Sequence, residues 1–264
     1  MDALTRNVAL LMERVAADII LPRYRNLAAD EVEEKSAGEL VTIADREAEL
    51  RLNEGLARLL PEAGLVGEEA CAADPALVDN LASGLNWLVD PIDGTGNFAA
   101  GKPPFGIMIA LVDGGETQAG WLFDPLEGRL CHAARGKGAT IDGERVMARA
   151  SGATLPIAGL SLLFVAPEAR QGLIDRAEGR LEMVAIPRCA AEQYPRIVLG
   201  VNDLAVFERT LPWDHAPGAL FVTEAGGKVA RPDGTPYRPD QTGRGMIAAA
   251  SPALWDRAAD VLYG

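Results

Sequence analysis

The residues with the most chemistry to offer stand in one stretch, Trp87-Leu88-Val89-Asp90-Pro91-Ile92-Asp93-Gly94-Thr95-Gly96-Asn97-Phe98. The apolar run Trp87 to Val89 reads as the end of a buried strand, with Asp90 where that strand stops. Pro91 removes a backbone donor and bars further sheet pairing. Asp93 brings a second carboxylate. Gly94 and Thr95 supply a tight turn with free backbone N–H groups, which suits an anion, above all at a helix N-terminus. Two carboxylates brought close repel and raise each other's pKa. A hard divalent cation removes that conflict, and Mg²⁺ takes carboxylate and carbonyl oxygens while completing its shell with substrate phosphate. Alone, the two aspartates suit a plain Asx-turn equally well, so the rest of the chain has to decide.

Other acidic residues sit at element boundaries. Asp45 heads an amphipathic helix running through Leu50, Leu52, Leu56 and Leu59-Leu60, a position that an ordinary N-cap would also fill. Leu65-Val66-Gly67-Glu68-Glu69 reads as a short strand ending in adjacent carboxylates. Neighbours on a strand point to opposite faces, so one of the pair at most enters a given site. Trp213-Asp214-His215 stands just inside a helix opened by Pro212 and stopped by Gly226-Gly227.

Composition narrows the class. The chain has 264 residues, 48% hydrophobic and 24% charged, ample for a packed core and fitting one large domain or two intimately joined ones without a clean boundary. A net charge of −13 argues against nucleic acid polymers and anionic membranes as partners. It also requires cations wherever such a chain handles a phosphate ester. Cys71, Cys131 and Cys189 are odd in number and far apart, which fits neither a disulfide framework nor a zinc site. Without a signal-peptide pattern or a long apolar run, the expectation is a cytoplasmic protein.

The elements that must position these groups follow in order. Residues 4 to 27 form a helix with Pro22 near its end, and Lys35-Ser36 begins a mobile-looking stretch around Gly38. After the central strand comes an antiparallel meander. Its strands are 105–112, 118–123 and 129–134, and Asp113-Gly114-Gly115 is the first hairpin turn. Beyond a soft division near residue 150, strands at 158–165, 183–186, 204–207, 228–230 and 245–250 alternate with helices near 168–179, 192–199, 212–225 and 252–262. This is a layered mixture of α and β.

Taken together, Lys35 with Asp45, Gly67-Glu68-Glu69, Asp90-Pro91-Ile92-Asp93-Gly94-Thr95 and Trp213-Asp214 resemble the motifs of the inositol monophosphatase family, the lithium-sensitive, Mg²⁺-dependent branch of the sugar phosphatases. The resemblance extends to Lys35-Ser36-x-x-x-Glu39-Leu40-Val41-Thr42, Arg135-Gly136-Lys137-Gly138-Ala139 and Thr223-Glu224-Ala225-Gly226-Gly227. It implies a single domain with the αβαβα sandwich shared with fructose-1,6-bisphosphatase. It also implies hydrolysis of a small phosphate monoester by metal-activated water, with two to three Mg²⁺ per subunit in a homodimer. By that resemblance, Glu68, Asp90 and the Ile92 carbonyl hold one ion, and Asp90, Asp93 and Asp214 a second. Glu68 helps with a third. Gly94 and Thr95 bind phosphate through their N–H groups. Thr95 with Asp45 activates the water, and Glu69 and Lys35 support the site. The chemistry agrees, because four carboxylates carry a charge of about −4 that divalent ions offset.

Departures from the family pattern fall where relatives hold the leaving group. Arg188-Cys189-Ala190-Ala191-Glu192-Gln193-Tyr194 stands where relatives carry a small Gly-Ser-Ala-like segment lining the leaving-group pocket. Pro217 stands where Ala is usual, just inside the helix, where a first turn tolerates proline. The substrate-binding Glu of relatives lies seven residues before the Trp-Asp aspartate, whereas Glu208 lies six before Asp214. Glu208, Arg188 and Arg209 are therefore the candidate substrate contacts, with inositol 1-phosphate the default substrate. Each arginine alone suits a surface ion pair in an acidic chain; if both point into the pocket, a second phosphate or a carboxylate is favoured over inositol 1-phosphate. The alternatives on the same metal site are a 3′(2′),5′-bisphosphate nucleotidase, a histidinol-phosphate phosphatase, and a silent sensor of a phosphorylated metabolite.

Overall fold

The computed structural model describes residues 2–36, 39–241 and 243–264. Its strands are β1 (Val32–Ser36), β2 (Glu39–Thr42), β3 (Gly64–Gly67), β4 (Leu85–Asp93), β5 (Gly106–Asp113), β6 (Glu116–Asp124), β7 (Arg129–Ala134), β8 (Gly138–Ile141), β9 (Glu144–Val146), β10 (Ile157–Ser161), β11 (Glu182–Val184), β12 (Leu204–Phe207), β13 (Lys228–Ala230) and β14 (Met246–Ala249). Its helices are α1 (Ala3–Val15), α2 (Leu21–Arg23), α3 (Ile43–Leu59), α4 (Glu68–Ala73), α5 (Thr95–Ala99), α6 (Pro167–Ala177), α7 (Ala190–Val198), α8 (Pro212–Glu224) and α9 (Pro252–Tyr263). β1 and β2 form an antiparallel hairpin; the stretch around Gly38 read from the sequence as mobile lies outside the described residues.

Alternation along the strands builds the layers. On β5, Ile107, Ile109 and Leu111 face one side, where they meet Val8 and Met12 of α1 and Leu52 and Leu56 of α3. Met108 faces the other side, toward Tyr194 and Ile197 of α7 and Phe221 of α8. Those two helices also cover Ala205 and Phe207 of β12 and Met246 and Ala248 of β14. The far side of the second sheet, Leu204, Val206 and Ile247, packs on Leu173 of α6 and Trp255 and Val261 of α9. The result is the expected α-β-α-β-α stack. The first sheet has the order β3-β4-β5-β6-β7-β8-β9, antiparallel apart from the β3–β4 pair. The second has the order β11-β10-β12-β14-β13. Gly114 and Gly115, with φ of +52° and +77°, make the β5–β6 turn as read from the sequence.

Four local expectations change. β4 does not stop at Asp90: it runs to Asp93, because a bulge between Asp90 and Asp93 takes up Pro91, and pairing resumes at Asp93 opposite Gly106. Glu68 and Glu69 end no strand but open α4, so both lie in the first turn of a helix. β10 ends at Ser161 rather than 165. Pro217 is not in a first turn, because α8 begins at Pro212, so Pro217 lies in the helix interior. There it packs on β6, where a Cβ on Gly120 would come within 2.7 Å of the Pro217 Cα.

The middle helix layer is tight at Gly218, whose added Cβ would lie 1.9 Å from the fully buried Tyr194 ring. Gly218→Ala is expected to cost about 1–3 kcal/mol by overpacking. Thermal unfolding should show Tm falling by roughly 2–4 °C per kcal/mol.

Candidate active site

The β4 bulge turns its end toward the start of five helices. Asp90 is 2% exposed, and its Oδ1 accepts the Ile92 N–H at 3.0 Å, which folds the bulge back on itself. Asp93 Oδ2 accepts the Ala191 N–H at 2.6 Å. A residue of the first sheet thereby caps α7, where Cys189 offers no side-chain cap. Gly94, with φ of +84°, makes the left-handed turn into α5. Thr95 then stands at the first helical position, and Asp214 enters in the first turn of α8. Helix N-termini are electropositive, so this arrangement suits both the carboxylates and an anionic substrate.

Thr95 Oγ1 lies 3.2 Å from Asp45 Oδ1 and 2.9 Å from the Ile92 carbonyl oxygen. Its single hydrogen serves one acceptor at a time. Asp45 is not the N-cap of α3: Thr42 is, and Asp45 sits three residues in, its Oδ2 accepting the Thr42 N–H at 2.8 Å and the Thr42 hydroxyl at 2.6 Å. One oxygen of this fully buried carboxylate is thus saturated, and the other is left for Thr95. Burial pushes the Asp45 carboxyl up to about 6.

One cavity of about 610 Å³ gathers Lys35, Glu68, Asp90, Ile92, Asp93, Gly94, Thr95, Arg188, Arg209 and Asp214. Glu69 does not line it, yet Lys35 Nζ binds Glu69 Oε1 and also Glu68 Oε1 at 3.3 Å. Both acids therefore turn toward one ammonium, as residues of one helical turn can and strand neighbours cannot. Glu208 also stays outside the lining. Its carboxylate lies 3.6 Å from Arg244 Nη1 and near Tyr263, so the expected substrate contact from Glu208 is not made; Phe207, the residue before it, lines the cavity instead.

The electrostatics are those of crowded acids. Burial first, then the charges of Glu68 and Asp93, hold Asp90 and Asp214 well above the usual carboxylate range. Burial pushes Glu68 up to about 7 against the pull of Lys35. Asp93 is raised by burial and relieved by the Cys189 thiol and the N–H groups of Ala191, Ala190 and Gly94. The donor set is all oxygen, four carboxylates and the Ile92 carbonyl, which fits Mg²⁺ in chemistry. Among the described residues, no three acidic, His or Cys side chains already stand in position to hold one ion, so the fit is one of donor type and charge. His215 is no ligand: its Nδ1 meets the Tyr194 hydroxyl at 2.8 Å and its Nε2 the Arg209 carbonyl at 3.0 Å, and burial lowers its pKa to about 3.

Glu49 and Phe164 escaped the sequence reading, while Gln193 lies in the segment expected at the leaving-group pocket but has no role of its own there. Glu49, buried on the core side of α3, accepts the Glu69 and Ala70 N–H groups at 2.7 and 2.9 Å and so fixes the α4 turn. Gly67 leaves it room, since a Cβ there would lie 2.4 Å from the Glu49 carboxyl carbon. The signal was available: Asp45, Glu49, Leu52 and Leu56 share one helical face, so Glu49 is a carboxylate on a core stripe. Gln193, 3% exposed, lines the cavity with neither atom of its amide hydrogen-bonded among the described residues. An amide left unmet in the interior costs about 1–3 kcal/mol. Phe164, also in the lining, stacks under the Arg209 guanidinium at 3.9 Å.

Comparison with known proteins decides the relationship. The profile described as Inositol monophosphatase family matches residues 3–262. The chain belongs to the inositol monophosphatase family. Relatives within reach of this family member are a fructose-1,6-bisphosphatase/inositol-1-monophosphatase of Thermotoga maritima, 31% identical over 87% of this chain and 84% of the relative; a histidinol-phosphatase of Mycobacterium tuberculosis, 35% identical over 74% of this chain and 75% of the relative; and a protein of Pseudomonas aeruginosa named Nus factor SuhB, 31% identical over 85% and 84%. The solved structure of extragenic suppressor protein suhB from Bartonella henselae has the same fold, with a TM-score of 0.83 over 99% of both chains at 24% identity. No helix among the described residues is long and apolar enough to cross a membrane.

Proposed function

We propose that this family member hydrolyses a small phosphate monoester in a Mg²⁺-dependent reaction. One observation carries the reading: a saturated, buried Asp45 offers its remaining oxygen to Thr95 at the edge of a cavity lined by Glu68, Asp90, Asp93 and Asp214. Those four carboxylates and the Ile92 carbonyl are the groups that would hold two to three Mg²⁺. Such ions lower the pKa of bound water and offset charge on a leaving oxygen. The chain's own part is positioning. The Gly94 and Thr95 N–H groups at the left-handed turn into α5 would bind phosphate oxygens, the Gly94 N–H turning from Asp93 to do so. Thr95, donating its hydroxyl hydrogen to Asp45, keeps lone pairs free to accept a proton from water, and Asp45 is the base behind it. Lys35 holds Glu68 in place and offsets part of the acidic charge. The family's cytoplasmic, lithium-sensitive homodimer goes with the same reading.

The test is phosphate release at saturating Mg²⁺ from inositol 1-phosphate, histidinol phosphate, fructose 1,6-bisphosphate and adenosine 3′,5′-bisphosphate, each with and without EDTA. At least one substrate should turn over, and EDTA should abolish turnover. Release that ignores EDTA contradicts the metal site. Tight binding of phosphate esters without release from any of them points to a sensor instead.

A further inference from the structure

The carboxylates of the cavity come from β4 and from the first turns of α4 and α8. Another wall is built from β10, the loop after it, the loop before α7, and the end of β12, with Gly159, Phe164, Ile186, Arg188, Phe207 and Arg209 in its lining. No carboxylate of the described residues stands on this wall: Glu208 is turned to Arg244, and Glu192 is held by Arg129 and Arg196. A leaving group rich in hydroxyls needs acceptors as well as donors, and this wall offers chiefly donors.

Arg188 is the sharper of the two cations. It is exposed at the mouth, makes no hydrogen bond or ion pair with any described residue, and has a φ of +55°. That backbone region is costly for a side chain this large and is normally glycine's. A cation is thus held, at a conformational cost, in a cavity of a chain with net charge −13. Arg209 also lines this cavity, its guanidinium on the Phe164 ring at 3.9 Å and within the field of the Asp214 carboxylate. The loop carrying Phe164 is itself braced, because Arg170 Nη2 donates to the Leu163 and Val165 carbonyls at 3.3 and 3.2 Å. Between them, Gln193 lies over Gly159, where an added Cβ would come within 3.2 Å of its Oε1. Its unmet, deeply buried amide is a polar group awaiting a ligand atom.

Building on the phosphatase reading above, we infer that this wall is an anion subsite and that the substrate is a phosphate monoester whose leaving group carries a second anionic group, a phosphate or a carboxylate, bound by Arg188 and Arg209 with the Gln193 amide as a neutral hydrogen-bonding partner. A guanidinium meets either anion in a two-pronged contact and repels a cationic leaving group. The reactive phosphate then lies among the acids, and the second anion meets the two arginines.

The experiment compares kcat/KM in Mg²⁺ for fructose 1,6-bisphosphate and adenosine 3′,5′-bisphosphate (second phosphate), 3-phosphoglycerate and 2-phosphoglycolate (carboxylate), inositol 1-phosphate (neutral) and histidinol phosphate (cationic). Arg188→Asn, which tolerates the left-handed backbone, Arg209→Gln and Gln193→Leu are measured beside the parent. The parent should prefer an anionic leaving group to both inositol 1-phosphate and histidinol phosphate. In each arginine variant the ratio of that substrate's kcat/KM to the inositol 1-phosphate value should fall about 10- to 100-fold, chiefly through KM. Whether the bisphosphates or the phosphorylated acids lead identifies the second anion. A preference for the neutral or cationic substrate, or a ratio unmoved by the arginine variants, overturns the subsite and leaves the phosphatase reading standing. If nothing is hydrolysed, the phosphatase reading fails, and calorimetry with fructose 1,6-bisphosphate and 3-phosphoglycerate decides the subsite. Binding weakened tenfold in Arg188→Asn supports it; absent or unaltered binding overturns it.

Discussion

Thr95→Ala is expected to lower kcat by about 10²–10⁴-fold with KM little changed, the size of effect that loss of a positioned proton-transfer group produces. The geometry leaves Thr95 few other duties. It opens α5 without a capping bond from its own side chain, and among the described residues its hydroxyl meets two acceptors, Asp45 Oδ1 and the Ile92 carbonyl. Thr95→Ser keeps the hydroxyl and should keep most of the rate, which a purely packing role of the methyl group would not allow. The pH profile is the second readout. Asp45 must be ionised to act as base, so the rate should rise with pH through the value at which it loses its proton. Burial raises that value to about 6, and cations bound nearby pull it lower. The acid limb should therefore lie at or below pH 6 and vanish from the residual rate of Asp45→Asn. A limb above pH 7, or full turnover by Thr95→Ala, contradicts the role.

The second large effect is on stability. Tm in saturating Mg²⁺ should exceed Tm in EDTA, and the gap should widen from pH 5 to pH 8. Glu68 is raised from 4.5 to about 7, and Asp90, Asp93 and Asp214 are raised above 3.8, by burial and by one another. Each of these groups keeps a proton in the folded chain at a pH where the unfolded chain has lost it. Their stabilising contribution is complete below the unfolded values and drains away as pH climbs through the folded ones. A divalent ion among the ionised carboxylates restores what is lost. At one hundred times Kd it contributes about 2.7 kcal/mol. That corresponds to roughly 5–10 °C for a chain of this size. Asp90→Asn sharpens the test, because the amide oxygen can still accept the Ile92 N–H while one charge is gone. In EDTA at pH 8 this variant should be more stable than the parent, and it should lose most of the gain from Mg²⁺. A gap independent of pH would sink the account of the acid cluster.

What the sequence disclosed follows from how local each signal is. Asp90, Asp93, Gly94 and Thr95 lie within six residues and were legible as one unit, and the meander was legible because turns such as Asp113-Gly114-Gly115 punctuate it. The layer order came through family resemblance, since no periodicity says which sheet α7 and α8 lie between. Partners far apart in the chain were not legible. Asp93 caps α7 across 98 residues, and Glu49 caps α4 from the preceding helix. Asp45 and Thr42 compete for one cap, and which takes it depends on where α3 starts by a single turn. The extended look of Leu65-Val66-Gly67 carries Glu68 and Glu69 onto strand faces, but β3 ends two residues before Glu69 and α4 begins at Glu68. Arg188 and Glu208 are the extreme cases. A left-handed backbone at an arginine and a carboxylate turned to Arg244 are decided by tertiary packing alone.

The central claim is that Glu68, Asp90, Asp93 and Asp214 hold divalent cations for a phosphate ester. Its most direct test is anomalous diffraction from crystals grown with Mn²⁺, which accepts the same oxygen donors as Mg²⁺. The account predicts peaks in the cavity bounded by those four carboxylates, shared by Asp90, and lost or weakened in Asp90→Asn crystals. Crystals that bind Mn²⁺ elsewhere, or leave this cavity without a peak at saturating metal, would contradict it.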